Sequence, residues 1–383
     1  MFPAYLYCMS VNKLRRFTRI TFVFINVFAG IFFLLGCYAS KLNPSQFWPL
    51  GFFPLAAFYF LLVLIGFIFF WLFVKPLRML ISFVAIAIGW APLHHLVQVR
   101  LTPNFLMEKH PKNLRIMSWN VQHFEILQHK THPEKKEEML SMINQHNPDV
   151  ACFQEMVASD FAPSAINYIP DFLKKLGFTY YHYTYNKKLD FDGKHRFGII
   201  TFSKYPIVNK HNVSYAPNNY NSIFQYVDIV KDADTFRIFN THMQSLKLTD
   251  ENMEFIEDPS LTENGDIKRS RNLISMFKHG FIKRHAQSDR IKLAMNQSPY
   301  PVIVCGDFND VPNSYAYNTI GKGMKNTFEQ KGTGIGRTYY GISPTLRIDH
   351  IFADPRFNVE QYLRIKKKLS DHFPIIADLY YKK

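Results

Sequence analysis

The chain predicts an α/β domain of two sheets with helices outside, preceded by a membrane-embedded region. Three observations carry that expectation. From about Asn104, apolar runs of strand length mix with amphipathic helical stretches, and consecutive strand pairs alternate with helices. Six of the short motifs in this part place a carboxylate, carboxamide or imidazole at or just past an apolar run, which is how a sheet delivers polar groups to one rim. Upstream, residues 1–103 contain no Asp or Glu and hold three long apolar stretches.

Those stretches are Thr18–Ala39, Phe47–Val74 (with Pro49 and Pro54 near its start) and Met79–Val97. A helix needs about 20 apolar residues to cross the hydrocarbon core, so three transmembrane helices are expected. A secretory signal fits the first poorly, because its apolar run is too long and two more follow. His94 and His95, near the end of the third, read as interfacial. Lys13, Arg15, Arg16 and Arg19 precede the first span, and Lys75 and Arg78 fill the second loop, while the first loop has only Lys41. Positive charge on the cytoplasmic side puts the N-terminus inside. Three spans then send the remainder to the extracytoplasmic side. The expected division is 1–103 for the membrane region and 104–383 for the catalytic domain of a multi-pass protein, in the inner membrane if the cell is bacterial.

In the second region, Leu114–Val121 reads as a strand and Glu134–His146 as a helix with Met139, Leu140 and Ile143 on one face, ended by Asn147-Pro148. Strands are expected at 149–153, 197–202, 223–230, 236–240, 302–305, 346–352, 359–365 and 375–380. Residues 246–266 are polar and acidic without a clear period and read as a mobile insertion. A helix over about 267–297 follows, with a break near Gly280.

The net charge of +15 comes largely from the acid-free first region; the remainder is only mildly basic, too little to argue for nucleic acid on charge alone. Cys8, Cys37, Cys152 and Cys305 show no paired spacing, so neither a disulfide framework nor a zinc site is suggested. Cys152 and Cys305 read as buried thiols.

The six motifs are LRIMSWNV (114–121), DVACFQEM (149–156), FNTHMQS (239–245), VIVCGDFNDVPNS (302–314), RIDHIF (347–352) and SDHFPI (370–375). In the fourth, Gly306 permits a turn and strand alternation points Asp307 and Asn309 to one side, where a carboxylate and a carboxamide can hold a hard cation, a phosphate oxygen or a water. An Asx-rich turn is the plain alternative. Glu155, read at a strand end, can ligate Mg²⁺, and Asn120 can orient a ligand while Trp119 packs in the core. His372 suits proton transfer, with Asp349 placed to bond its other ring nitrogen and fix the tautomer. His242 can donate to a phosphoryl oxygen. Alternation turns His350 away from Asp349, into a structural role. His123, His182 and His195 have no such company. Arg196, opening a strand, either touches substrate or is a solvated strand end.

Taken together, these motifs resemble those of the endonuclease/exonuclease/phosphatase superfamily, over roughly Leu114–Tyr380. The resemblance implies a four-layer α/β/β/α sandwich with an active site at one rim of two packed mixed sheets, and metal-dependent phosphoester hydrolysis with Mg²⁺, or Mn²⁺ or Ca²⁺ in its place. It implies that Glu155 binds metal with Asn120 and Asp371, that Asp307 and Asn309 position nucleophile and phosphate, and that His242 grips a phosphoryl oxygen. His372 becomes the general base or a phosphate-stabilising group, oriented by Asp349. Members that repair abasic sites often carry an acidic residue where this chain has Gln122, and no equivalent of their substrate-contacting tyrosine is evident, which weakens that branch. The sequence therefore reads as a membrane-anchored phosphodiesterase at a lipid bilayer, acting on a lipid headgroup or on nucleic acid, with a non-catalytic binding protein of the same fold as the alternative.

Overall fold

A computed structural model describes the chain except residues 1, 102–103, 125–129, 160–166, 191–194, 215–222, 247, 258–263 and 383. The helices are α1 (Phe2–Tyr38), α2 (Pro44–Phe47), α3 (Phe52–Val74), α4 (Met79–Ile88), α5 (Trp90–Leu96), α6 (Pro133–His146), α7 (Ile169–Leu176), α8 (Asp250–Glu257), α9 (Asn264–Asn296), α10 (Tyr315–Gly321) and α11 (Thr327–Lys331). The strands are β1 (Leu114–Asn120), β2 (Val150–Ala158), β3 (Tyr180–Asp190), β4 (Arg196–Ser203), β5 (Ile207–Ser214), β6 (Ile223–Lys231), β7 (Asp234–His242), β8 (Val302–Asp307), β9 (Lys325–Asn326), β10 (Asp349–Ala353), β11 (Phe357–Arg364) and β12 (Ile375–Tyr381).

Two six-stranded mixed sheets form the body, in the orders β11-β12-β1-β2-β4-β3 and β5-β6-β7-β8-β10-β9. Alternation along each strand supplies two buried faces. Between the sheets lie Ile116, Cys152, Ile238, Cys305, Ile351 and Ala377 among others. The outer face of the first sheet, with Trp119, Phe153 and Phe202, is covered by α6 and α7 through Met139, Ile143 and Phe172. The outer face of the second, with Phe239, Val304 and Phe352, is covered by α9 and α10 through Ile291, Met295 and Ile320. This is the expected four-layer sandwich. Cys152 and Cys305 are free thiols buried in the central layer, as read from their apolar surroundings.

Three expectations need correction. The third apolar stretch is not one straight span: α4 and α5 bend by 71° at Gly89. A Cβ at Gly89 would come within 2.4 Å of a Phe33 ring carbon, so the bend is packed directly onto α1. Two helices are long and apolar enough to cross a membrane, or three if the bent pair counts as one. The 246–266 stretch contains α8, and α9 begins within it and runs unbroken through Gly280. Strands β3, β5 and β9 were not foreseen; all three lie at sheet edges, and their polar sequences reflect it.

The N-terminal helices do not stand apart. Phe52 packs on Phe277 and Phe281 at 5.1 and 5.3 Å between ring centres. Ser45 Oγ lies 3.4 Å from His285 Nδ1. His95 Nδ1 meets Glu329 Oε1 at 2.7 Å, Asn313 Nδ2 donates to Pro92 O at 3.2 Å, and buried Arg347 donates to the His95 carbonyl. α5 is thus docked against the α/β body.

Candidate active site

Strand register assembles the site. β1 and β2 are parallel neighbours in one sheet, and β7 and β8 in the other. Asn120 pairs with Gln154, His242 pairs with Asp307, and antiparallel β10 begins with Asp349 opposite Asp307. Asn120, His242, Asp307 and Asp349, from two sheets, therefore meet at one rim. Gly306 is a strand residue, not the turn expected of it. Its φ is 146°, and a Cβ there would sit 2.0 Å from Thr241 O, so only glycine lets β7 and β8 close at this level.

Glu155 is delivered by a β-bulge. β2 does not end at Gln154-Glu155 but continues to Ala158, and its register with β4 is interrupted between Phe153 and Met156. Glu155 has φ of 54°. The bulge separates two adjacent side chains. Gln154 turns inward, where Nε2 donates to Asn240 Oδ1 at 2.8 Å. Glu155 faces the site, with Oε1 3.7 Å from His242 Nε2 and Oε2 3.5 Å from His123 Nε2.

Asp307 and Asn309 do reach the same cavity, but not by strand alternation. Asn309 has φ of 51°, and its N–H donates to Asp307 Oδ1 at 2.7 Å, an Asx turn. Its Nδ2 donates to Met243 O at 3.1 Å, which holds the carboxamide in place. Asn120 Nδ2 donates to Asp307 Oδ2 at 3.2 Å.

His372 Nδ1 and Asp349 Oδ2 are 2.8 Å apart, and His372 Nε2 lies 3.7 Å from Asp307 Oδ2. The loop carrying His372 is pinned to β1: Trp119 Nε1 donates to His372 O at 3.0 Å and Ser370 Oγ to Asn120 O at 2.7 Å. The core tryptophan thus also fixes the histidine. His350 points the other way, buried against Phe308 and Tyr317, as alternation required.

Charges in this space are tightly coupled. Burial lifts Glu155 to about 7, and the Asp371 charge adds to it. Burial also lifts Asp307 to about 7, opposed by His372. Burial alone would lower His372, but Asp349 and Asp307 outweigh it and take the ring up to about 10. His242, deeply buried, is pushed down to about 3 by burial, with the charges of His372 and His123 adding. Carboxylates lifted this far signal a site short of positive charge, and their oxygen donors suit a hard divalent cation. Asp307, Asp349 and His372 place one donor atom each within 4.8 Å of one another. In that trio His372 Nδ1 is already engaged by Asp349, and Glu155 and Asp371 add carboxylate oxygens to the same cavity.

Asn120, Glu155, Asp307, Asn309, Asp371 and His372 all line an open cavity of about 830 Å³. His242 sits behind Glu155 and Asp307 and is not among the lining residues; nor is Arg196, at the start of β4. The structure brings into the site residues to which the sequence reading gave no role. Tyr339 lines the cavity and meets the His372 ring edge-on, with 5.1 Å between ring centres. Gln122 lines it too, its Oε1 accepting from Asp371 N at 3.2 Å. His123 meets Glu155, and Arg284 pairs with Asp310 at 3.1 Å beneath Asn309. Proximity to the WN and GDFND motifs was the available signal for Gln122, His123 and Asp310; Tyr339 and Arg284 come from distant segments.

The sequence profile described as Endonuclease/Exonuclease/phosphatase family matches residues 117–372. A second profile, a domain of unknown function (DUF8431), matches residues 19–96. No curated protein matches. Among solved structures, an endonuclease/exonuclease/phosphatase family protein from Bacteroides thetaiotaomicron aligns with a TM-score of 0.51 and 18% identity, over 72% of this chain and 100% of its own. An endonuclease/exonuclease/phosphatase from Bacteroides vulgatus gives 0.50 and 17%, over 70% and 99%. At these identities the likeness is one of fold, and it agrees with the two packed sheets. With two-thirds of its length matched by the profile, the chain belongs to the endonuclease/exonuclease/phosphatase family.

Proposed function

We propose that the protein is a membrane-anchored, divalent-metal-dependent phosphodiesterase whose catalytic unit is residues 104–383. The observation that carries this reading is the line Asp349–His372–Asp307 facing Glu155 across one cavity. Glu155 with Asp371 would hold Mg²⁺, near Asn120, where the ion would neutralise phosphate charge and that of the leaving oxygen. Asp307, its Oδ1 fixed by Asn309 N–H, accepts a proton from the attacking water through Oδ2. His372, held in one orientation by Asp349, presents Nε2 to the phosphate oxygens. The Asn309 carboxamide, beside Asp307, would add a grip on the phosphate. His242, buried behind the carboxylates, lies 3.7 Å from Glu155 Oε1 and 3.6 Å from Asp307 Oδ2; a grip on a phosphoryl oxygen needs its ring to reach past them. Arg196 at the rim is left a substrate contact only for a long substrate.

The membrane reading rests on α1 and α3 and on where the body docks. Its contacts with α3 fall in the first turns, from Phe52 to Tyr59. Lys75 and Arg78 lie at the far end of that helix. With the basic turn in the cytoplasm, the catalytic body is extracytoplasmic.

The direct test is hydrolysis of bis(p-nitrophenyl) phosphate by the full chain in non-ionic micelles. Turnover that requires Mg²⁺ and stops with chelator is expected. Absence of turnover with Mg²⁺, Mn²⁺ and Ca²⁺ alike, in protein that still binds the metal, would leave a binding protein.

A further inference from the structure

The cavity that holds Glu155 and His372 does not end at its polar rim. Its other wall is apolar and comes from elements outside the two sheets: Phe52, Leu55 and Tyr59 from α3, Met253 and Ile256 from α8, and Phe277 from α9. The wall is fastened at both ends. Phe52 packs on Phe277 and Phe281, and Tyr59 Oη lies 2.8 Å from Ser343 Oγ. One of the two long apolar helices thus forms part of the chamber that contains the candidate catalytic carboxylates.

We infer, building on the phosphodiesterase reading, that the substrate is a membrane phospholipid, with its phosphodiester at Asp307 and His372 and a hydrocarbon chain along the wall of α3, α8 and α9. Four observations support a lipid over a nucleic acid. The volume, about 830 Å³, suits an amphiphile, with polar groups gathered at one end and apolar side chains at the other. Among the described lining residues the one Lys or Arg is Arg284, already paired with Asp310, so a polyanionic strand finds no basic track. The wall continues into α3 itself, which joins the chamber to the helix bundle. Beside it, α9 exposes Ile267 and Ile274 among Lys268, Arg271 and Lys278, and Lys278 Nζ lies 5.5 Å from the Trp48 ring, a pattern suited to an anionic bilayer surface. In the reaction, water oxygen bonds to phosphorus, one ester P–O bond breaks, and the water proton ends on the leaving oxygen.

The test uses the full chain in non-ionic micelles and a series of alkyl p-nitrophenyl phosphates, from methyl to dodecyl, with Mg²⁺. A buried methylene contributes a factor of about 4, so kcat/KM should rise at least about 100-fold along the series. Partition into the micelle also favours long chains, so the comparison is made against Ile256→Asp and Met253→Asp. Both sit on α8, which is half-buried, and circular dichroism and thermal melting check that each variant folds. The dodecyl-to-methyl ratio is expected to fall at least about tenfold in both. An unchanged ratio in folded variants overturns the inference, as does faster hydrolysis of a single-stranded DNA oligonucleotide than of the dodecyl ester. Either result leaves the phosphodiesterase standing, whereas no turnover of any ester overturns that reading and this one with it.

Discussion

Single side chains set what this site can do. Asp307 is the point where Asn120, Asn309, His242 and His372 converge, so an exchange there removes a carboxylate that four groups surround. Asp307→Ala and His372→Ala should each cost about 10³-fold or more in kcat for bis(p-nitrophenyl) phosphate, with modest change in KM. Rates near wild type for either would remove it from the chemistry. His350 makes a different prediction, about stability. Burial and nearby Arg347 push it from 6.5 to about 3 in the folded protein. Between those values the unfolded chain binds a proton that the folded chain does not, so stability rises with pH in that window and is unaffected by this group above it. Unfolding free energy should thus fall by up to about 1.4 kcal/mol per pH unit below pH 6.5 on account of His350, and His350→Gln should flatten that slope in chemical denaturation between pH 4 and 6.5. An equal slope in the variant would contradict the buried, neutral state.

At the level of elements, the strand ends and one bulge do the positioning. The bulge at Glu155 turns Gln154 into a buried network with Asn240, whose Nδ2 donates to Ile200 O at 2.8 Å and Phe153 O at 3.2 Å, tying β7 to β2 and β4 across the sheets. Asn240→Leu strands those acceptors and should destabilise the fold by about 1–3 kcal/mol, read as a lower urea midpoint. Nearby, Arg115 grips Asp378 through two bonds of 2.7 and 2.8 Å, both residues fully buried between β1 and β12. Asp378→Ala should cost about 3–5 kcal/mol, because it leaves the guanidinium buried and unpaired. The central strands were legible in the sequence because they are apolar on both faces. Edge strands β3 and β5 were not, since one side of each lacks a partner and their residues are polar. Of the site, the motif carboxylates and His372 were legible, since a polar residue ending an apolar strand is a local signal. The left-handed φ at Glu155 and Asn309, and the edge-on contact of Tyr339 with His372, were not, because they depend on packing between segments far apart in sequence.

In the whole molecule, the N-terminal apolar helices and the two-sheet body share contacts that composition alone could not reveal. The third apolar stretch was expected to cross the membrane as one helix. It is a bent pair, with α5 turned by 71° from α4 and docked through His95 on Glu329 and through Arg347 on the His95 carbonyl. Arg347, taken from sequence as part of a catalytic motif, is a strut between the two regions. Arg347→Ala should loosen that joint, seen as faster proteolysis near residues 97–103 and a lower melting temperature. A reporter fused after Lys383 should be active only outside the cytoplasm; a cytoplasmic signal would invert the topology.

The most direct test of the central account compares phosphodiester hydrolysis by wild type, Glu155→Gln and Asp307→Asn across a Mg²⁺ titration. The account predicts that Glu155→Gln shifts the Mg²⁺ requirement upward by about tenfold or more and recovers rate at high Mg²⁺, as loss of one carboxylate ligand should. Asp307→Asn should stay inactive at every concentration. Activity within about tenfold of wild type for Asp307→Asn, or a Mg²⁺ requirement unmoved in Glu155→Gln, would contradict the division of roles on which the account rests.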